Sequence, residues 1–164
     1  MLESVLVTGA SSGIGEATAE LLAAEGAHVV CLDRPADDGP TSKVAQRVGG
    51  STLLVDITDP DAPDRIAADL MDRFGGVDIV VHNAGVTRDK TLGRMKPELW
   101  DLTLNVNLGA VLRITEALEP LLDRALAILE QSQKSASNGA TLPWPIDTNR
   151  PALRLLTRAG ERPP

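Results

Sequence analysis

Continuous apolar runs, separated by polar or glycine-containing segments, organise the first three quarters of the chain. Four short runs lack the alternation of a half-solvated strand, which predicts strands buried on both faces; they span residues 2–8, 27–33, 52–55 and 77–81. Helical patterns lie between them, as in the stripe that Ile66, Leu70 and Phe74 form at every fourth position. This alternation of strands and helices predicts a doubly wound α/β fold with a parallel sheet.

Glycine and proline mark the ends of the predicted helices. The first helix, at about residues 14–25, and the second, at residues 41–48, are each followed by glycine, the usual residue after a helix C-terminus. Asp61 is placed to cap a third helix, which has a proline in its first turn. A fourth and longer helix is expected to begin at Pro97.

Beyond about residue 129 the sequence changes character. Residues 131–139 are small and polar, and residues 142–164 contain five prolines with only scattered apolar residues between them. No further run of β-branched residues follows, so the sequence supports no more than four strands. We therefore expect an ordered α/β portion at residues 1–125 and an irregular, poorly ordered tail at residues 126–164.

Bulk composition excludes several classes of function. The chain has 164 residues, 43% hydrophobic content and a net charge of −7, which disfavours nucleic acid and anionic membranes as partners. No apolar stretch approaches the roughly 20 residues that cross a bilayer, and no basic leader begins the chain. The single cysteine, Cys31, lies in an apolar run, which predicts a buried structural thiol and a cytoplasmic protein.

A glycine-rich turn joins the first predicted strand to the first helix. It reads Thr8, Gly9, Ala10, Ser11, Ser12, Gly13, Ile14 and Gly15. In a dinucleotide-binding turn, Gly9 would permit the tight bend, Gly13 the close approach of a pyrophosphate, and Gly15 the packing of helix on strand. Free N–H groups at the helix start and the two serines would bind the phosphates. A glycine-rich turn without a ligand is the alternative interpretation.

An acidic residue, Asp33, ends the second strand twenty positions after Gly13. A carboxylate there accepts hydrogen bonds from the adenosine ribose hydroxyls and repels a 2′-phosphate, which favours NAD(H) over NADP(H). The neighbouring Arg34 would partly offset that repulsion. The alternative is that Asp33 only caps the loop.

These motifs resemble the classical short-chain dehydrogenase/reductase family over roughly residues 2–120. Asp56, with Ile57 beside it, matches the family's acidic contact to the adenine. The segment His82, Asn83, Ala84 and Gly85 resembles its Asn-Asn-Ala-Gly motif, and residues 83–89 are similar to those of its 3-oxoacyl-ACP reductases. Asn107 in the long helix resembles the asparagine of the catalytic tetrad, whereas Asn105 should face elsewhere.

The resemblance implies a Rossmann-like sheet of four parallel strands in the order 3-2-1-4. It also implies a nicotinamide dinucleotide as cofactor and a 3-oxoacyl-ACP or 3-oxoacyl-CoA thioester as substrate. No metal site is expected, since His82 and His28 are interpreted as packed residues. Ser11 and Ser12 have no neighbouring histidine to activate them, so a nucleophilic role is not expected.

The residues that the family uses for proton transfer are not found at matching positions. The family protonates the substrate oxygen with a tyrosine, followed four residues later by a lysine, and orients the carbonyl with a serine upstream. This chain has no tyrosine, Lys134 is its only lysine after Lys96, and Ser132, Ser135 and Ser137 lie in a low-complexity stretch, not at the end of a strand. We therefore expect the chain to bind a dinucleotide without catalysing reduction. A truncated or frame-shifted reductase, a non-catalytic dinucleotide-binding or partner-binding module, and a reductase completed by another chain remain alternatives.

The long helix is expected to expose part of an apolar surface. Its apolar residues include Leu108, Leu112, Ala117, Leu118, Leu121 and Leu122. In the complete family fold, a further helix would pack beside them. Self-association through this helix is therefore a further expectation.

Overall fold

The computed structural model describes residues 4–88 and 90–122. The predicted tail at residues 126–164 lies outside the described residues, and so does Lys134. The division of the chain at about residue 125 therefore stays a prediction.

Four parallel strands form one sheet. They are β1 (Ser4–Thr8), β2 (His28–Asp33), β3 (Ser51–Leu54) and β4 (Ile79–Val81). Their order is β3-β2-β1-β4, which confirms the predicted Rossmann-like topology. Val5 of the central strand pairs with Val29 on one side and Ile79 on the other, so the unbroken apolar run belongs to a strand enclosed by neighbours.

Helices connect the strands on both faces of the sheet. They are α1 (Gly13–Ala24), α2 (Asp38–Val48), α3 (Ala62–Phe74) and α4 (Pro97–Leu104). α4 continues through a π-helical turn, Asn105–Gly109, into a helical run over 110–122, and together these form the long helix. α2 begins three residues earlier than predicted, because Pro40 is compatible with a first turn whose N–H groups have no partner within the helix.

Successive residues of β1 point to opposite faces and enter two separate cores. Leu6 packs with Ile66 and Leu70 of α3 and with the long helix. On the other face the core is built from smaller residues, which are Val5, Val7, Ala10, Ala19, Val29, Cys31, Val44 and Ala45. Cys31 is fully buried, as predicted, and burial raises the pKa of its thiol to about 11.

The long helix buries one side and exposes the other. Ile114 and Leu118 are buried against the sheet. Leu104, Leu108 and Leu112, which recur every four residues, are 42%, 52% and 60% exposed. Within residues 4–88 and 90–122, no helix combines the length and apolarity needed to cross a membrane.

Candidate functional site

A cavity of about 570 Å³ opens at the carboxyl ends of the strands. In a doubly wound sheet, ligands bind at this edge, where neighbouring connections diverge to opposite faces. Five parts of the chain line the cavity: the glycine-rich turn, the end of β2 with the residues after it, residues 55–58, the loop after β4, and the long helix. The long helix contributes Leu102 and Val106.

Most of the predicted cofactor residues meet at this cavity. Those that line it are Gly9, Ser11, Ser12, Asp33, Asp56, Ile57, Asn83, Ala84 and Gly85. Gly13, Ile14, Gly15 and Asn107 do not line it. Gly15 is buried beneath the turn, whereas the Ile14 side chain is 78% exposed.

Two glycines allow the turn to pack as closely as it does. Gly9 has φ +69°, and a Cβ there would lie 2.9 Å from the Cα of Ala84. A Cβ on Gly15 would lie 2.1 Å from the carbonyl oxygen of Gly9. Any side chain at Gly15 would therefore displace the turn from the start of α1.

The start of α1 is open towards a ligand. Ser12 precedes the helix with an extended backbone and makes no capping hydrogen bond with its side chain. A Cβ built on Gly13 would meet no atom within 4 Å, so the space beside that backbone is free. The N–H groups of the first turn have no partners within the helix, and the positive end of the helix dipole favours an anion there.

The Asp33 carboxylate is fixed by two backbone hydrogen bonds. The N–H of Ser11 donates to Oδ2 at 3.0 Å, and the N–H of Arg34 donates to Oδ1 at 2.9 Å. A carboxylate has about four acceptor positions, so it can still accept hydrogen bonds from ligand hydroxyls. The first bond also ties the end of β2 to the glycine-rich turn.

Arg34 is paired with Asp37, a residue that sequence reasoning did not single out. The Nε and Nη2 atoms of Arg34 donate to Oδ2 of Asp37 at 3.0 and 2.7 Å. The hydrogen bond and the negative charge of Asp37 raise the pKa of the Arg34 guanidinium. Both residues line the cavity beside Asp33.

Asp56 is oriented by Thr58, a lining residue that was also not predicted. Oδ1 of Asp56 accepts hydrogen bonds from the backbone N–H of Thr58 at 2.9 Å and from its hydroxyl at 2.6 Å. These bonds lower the pKa of the Asp56 carboxyl below its ordinary value. Asp56 therefore presents an ionised acceptor at the cavity wall.

The loop after β4 is tied to the glycine-rich turn through Thr8 and Asn83. The buried Thr8 hydroxyl accepts hydrogen bonds from the N–H groups of Asn83 and Ala84 at 3.0 and 3.1 Å. The Asn83 side-chain amide donates to the carbonyls of Thr8 and Gly9, each at 3.1 Å. Thr8 is the residue at this junction whose role the sequence did not reveal.

Asn107 fixes the far side of the same loop. Its Oδ1 accepts from the Val86 N–H at 2.8 Å, and its Nδ2 donates to the Val86 carbonyl at 2.8 Å. Asn107 lies within the π-helical turn of the long helix. Asn105, two residues earlier, faces elsewhere and accepts two hydrogen bonds from the Arg113 guanidinium, both at 3.1 Å.

The histidines are packed. His82 lies 2.9 Å, Nε2 to Oγ1, from Thr115, and burial lowers the pKa of its imidazole. His28 makes the corresponding contact with Ser51 at 2.9 Å and packs on the Phe74 ring. In the part of the chain that the structure describes, no group of three or more His, Cys, Asp or Glu residues is arranged to hold a metal ion.

Comparison with known proteins identifies related sequences. A family model described as enoyl-(acyl carrier protein) reductase matches residues 9–159. The 3-oxoacyl-(acyl-carrier-protein) reductase of Vibrio cholerae is 40% identical over 113 residues, which are 69% of this chain and 46% of that protein. The chain thus spans about half the length of the curated relatives it matches.

Solved structures agree with the sequence relatives. A putative short-chain dehydrogenase from Pseudomonas syringae matches with a TM-score of 0.70 and 30% identity, covering 74% of this chain and 52% of that one. L-Sorbose reductase from Gluconobacter frateurii, complexed with NADPH and L-sorbose, matches with a TM-score of 0.66 and 32% identity, covering 74% and 48%. The chain therefore belongs to the short-chain dehydrogenase/reductase family, whose members bind a nicotinamide dinucleotide.

Proposed function

We propose that this chain binds NAD(H) in preference to NADP(H) and forms the cofactor-binding portion of a hydride-transfer oxidoreductase that acts on 3-oxoacyl thioesters. The observation that carries the proposal is the Asp33 carboxylate, held at the cavity wall by the Ser11 N–H at 3.0 Å. The same hydrogen bond joins the predicted ribose site to the predicted phosphate site. When bound, NADH supplies a hydride for reduction of a carbonyl group.

Different residues of the site would contact different parts of the cofactor. The first-turn N–H groups of α1, together with Ser11 and Ser12, would bind the phosphates. Asp33 would accept hydrogen bonds from the ribose hydroxyls, and Asp56 with Ile57 would contact the adenine. Asn83, Ala84 and Gly85 would line the nicotinamide half, with Asn107 holding that loop in position through Val86.

The preference for NAD(H) rests on charge. The 2′-phosphate of NADP(H) would bring negative charge next to the Asp33 carboxylate, whereas the free 2′-hydroxyl of NAD(H) would donate a hydrogen bond to it. The Gluconobacter relative is complexed with NADPH, so cofactor choice within the family has to be decided by residues of each chain.

Calorimetric titration with NADH and NADPH tests the proposal. NADH should bind more tightly, and Asp33→Ser should reduce the ratio of the two dissociation constants by roughly tenfold, about the free energy of one charge-assisted hydrogen bond. Asp72→Ser removes an equal charge from the exposed face of α3 and serves as the control. Equal affinity of the unaltered chain for both cofactors would show that the Asp33 argument is wrong.

We expect binding without turnover from these 164 residues. The resemblance assigns proton donation to a tyrosine, and the sequence contains none. A suitable general acid contributes about 10²–10⁴-fold to rate. When the protein is mixed with NADH and a 3-oxoacyl thioester, the NADH absorbance should therefore fall no faster than in a protein-free control. Turnover at about 1 s⁻¹ would reveal another acid and overturn this expectation.

A further inference from the structure

We propose that Asp37 is a specificity-determining residue of the dinucleotide site, because it holds the Arg34 guanidinium away from the position of a 2′-phosphate. The inference rests on the proposed function and extends it. Asp33 would discriminate by its own charge, whereas Asp37 would act by occupying a neighbouring cation. Asp33, Arg34 and Asp37 form one wall of the cavity.

The local backbone brings Arg34 and Asp37 together. Arg34 precedes a short 3₁₀ turn, Pro35–Asp37, and the N–H of Asp37 donates to the Arg34 carbonyl at 2.9 Å. Residues three apart lie on the same side of such a turn. Pro35 fixes the backbone at the first position of the turn, so the two side chains meet without a long-range contact.

The Asp37 carboxylate makes no hydrogen bond to any described residue other than Arg34. It precedes α2 but makes no capping hydrogen bond with its side chain. The Thr41 hydroxyl donates at 2.6 Å to the backbone carbonyl of Asp37, not to the carboxylate. All hydrogen bonds described for the carboxylate come from Arg34.

The pair contributes little to folding, yet it is placed where it affects ligand choice. The Arg34 side chain is 61% exposed, and an ion pair in such surroundings adds little to stability because water screens the two charges. A free guanidinium beside Asp33 would offer a planar, two-pronged donor of the kind that binds phosphate. Paired with Asp37, the same group has its Nε hydrogen and one of its two Nη2 hydrogens engaged, and its charge is opposed by a carboxylate.

The test is a double-mutant cycle measured by calorimetry with NADH and NADPH. The variants are Asp37→Asn, Arg34→Met and the double variant. Asp37→Asn should tighten NADPH binding by roughly three- to tenfold while NADH affinity changes less than twofold, because only NADPH carries the phosphate that a released Arg34 can bind. In the Arg34→Met background, Asp37→Asn should increase NADPH affinity only slightly.

Asp38→Asn is the matched control. Asp38 lies one residue further on, is exposed, and contacts the Ser42 hydroxyl instead of a guanidinium. Asp38→Asn removes the same charge and should leave both affinities unchanged within twofold. This variant separates release of Arg34 from a general loss of negative charge.

The outcomes distinguish this inference from the proposed function. An undiminished NADPH gain from Asp37→Asn in the Arg34→Met background would show that Asp37 acts only through its own charge, and the inference would be wrong. If Asp37→Asn raised NADPH affinity in neither background, the inference would also be wrong. The proposed function would still stand in that case, provided that the protein binds NADH. Absence of NADH binding in every variant would overturn both.

Discussion

The two walls of the cavity are held by different means. On the first wall, the backbone N–H of Ser11 in the glycine-rich turn donates to Asp33 at the end of β2, and the Arg34 N–H donates to the same carboxylate. On the second wall, the loop after β4 is fixed by side chains, with Asn83 bonded to the turn and Asn107 to Val86. The first wall follows from a local motif, whereas the second depends on where the long helix packs.

The second wall also borders a helix whose outer side is apolar. Leu104, Leu108 and Leu112 form an exposed row along the long helix, while Leu118 on its inner side is fully buried. Within the described residues, β4 pairs with β1 alone and forms an edge of the sheet. Self-association through the long helix stays a prediction, favoured by this exposed row.

The largest expected effect comes from a substitution that prevents the close packing of Gly15 against Gly9 in the first wall. Gly15→Ala would place a Cβ 2.1 Å from the Gly9 carbonyl oxygen and 2.6 Å from Nδ2 of Asn83. We expect a loss of about 3 kcal/mol in the free energy of unfolding, with loss of NADH binding. Urea unfolding followed by circular dichroism measures the first effect, and calorimetry the second.

Gly39→Ala is the control for that substitution. Gly39 lies in the first turn of α2, and a Cβ there would meet nothing within 4 Å. We expect this change to be neutral or to stabilise the protein by up to about 1 kcal/mol. Equal effects of the two alanines would contradict the proposed close packing at Gly15.

A smaller effect should follow from breaking the hydrogen bonds between Asn107 and Val86 on the second wall. Asn107→Leu removes both hydrogen bonds to Val86 and should cost about 1–2 kcal/mol of stability, together with a severalfold loss in NADH affinity. Asn105→Leu, on the same π-helical turn, breaks the Arg113 contact but leaves the loop after β4 attached. It should lower stability with little change in NADH affinity. If both variants lower NADH affinity equally, binding depends on the π-helical turn as a whole and not on the hydrogen bonds between Asn107 and Val86.

The smallest effect concerns His82, behind the second wall. Burial lowers the pKa of His82 in the folded protein, whereas the unfolded chain takes up the proton near the ordinary value of 6.5. The unfolded state therefore binds more protons as pH falls below that value, and stability declines with acidification. His82→Gln should flatten the change in unfolding free energy between about pH 7.5 and about pH 5.5. If the variant shows the same pH dependence of the unfolding free energy as the unaltered chain, His82 is not the cause of the loss of stability at low pH.

The fold was largely predictable because its signals are local. Buried apolar runs predicted β1 to β4, and the fourfold spacing of Ile66 and Leu70 predicted the buried side of α3. The boundary of α2 was less predictable, since a proline near a helix start is compatible with the helix beginning either before or after it. The strand order came from the family resemblance, and the pairing of β1 with β2 and β4 agrees with it.

The residues of the site were largely predictable on both walls, whereas several of the hydrogen bonds that position them were not. Glycine spacing and Asp33 signalled the turn and the end of β2. The roles of Thr8 and Thr58 could not be predicted, because a threonine hydroxyl gives no pattern that separates a structural junction from an ordinary buried or turn position. The π-helical turn that carries Asn107 likewise has no sequence period of its own.

Hydrogen–deuterium exchange with and without NADH tests the central claim, that one dinucleotide spans both walls, most directly. NADH should slow amide exchange at residues 12–15 on the first wall and residues 84–86 on the second. Amides at the opposite edge of the sheet, at residues 49–51 and 75–77, should be unaffected and provide the internal control. Protection of that opposite edge, or of neither wall at NADH concentrations that saturate the calorimetric signal, would contradict the account.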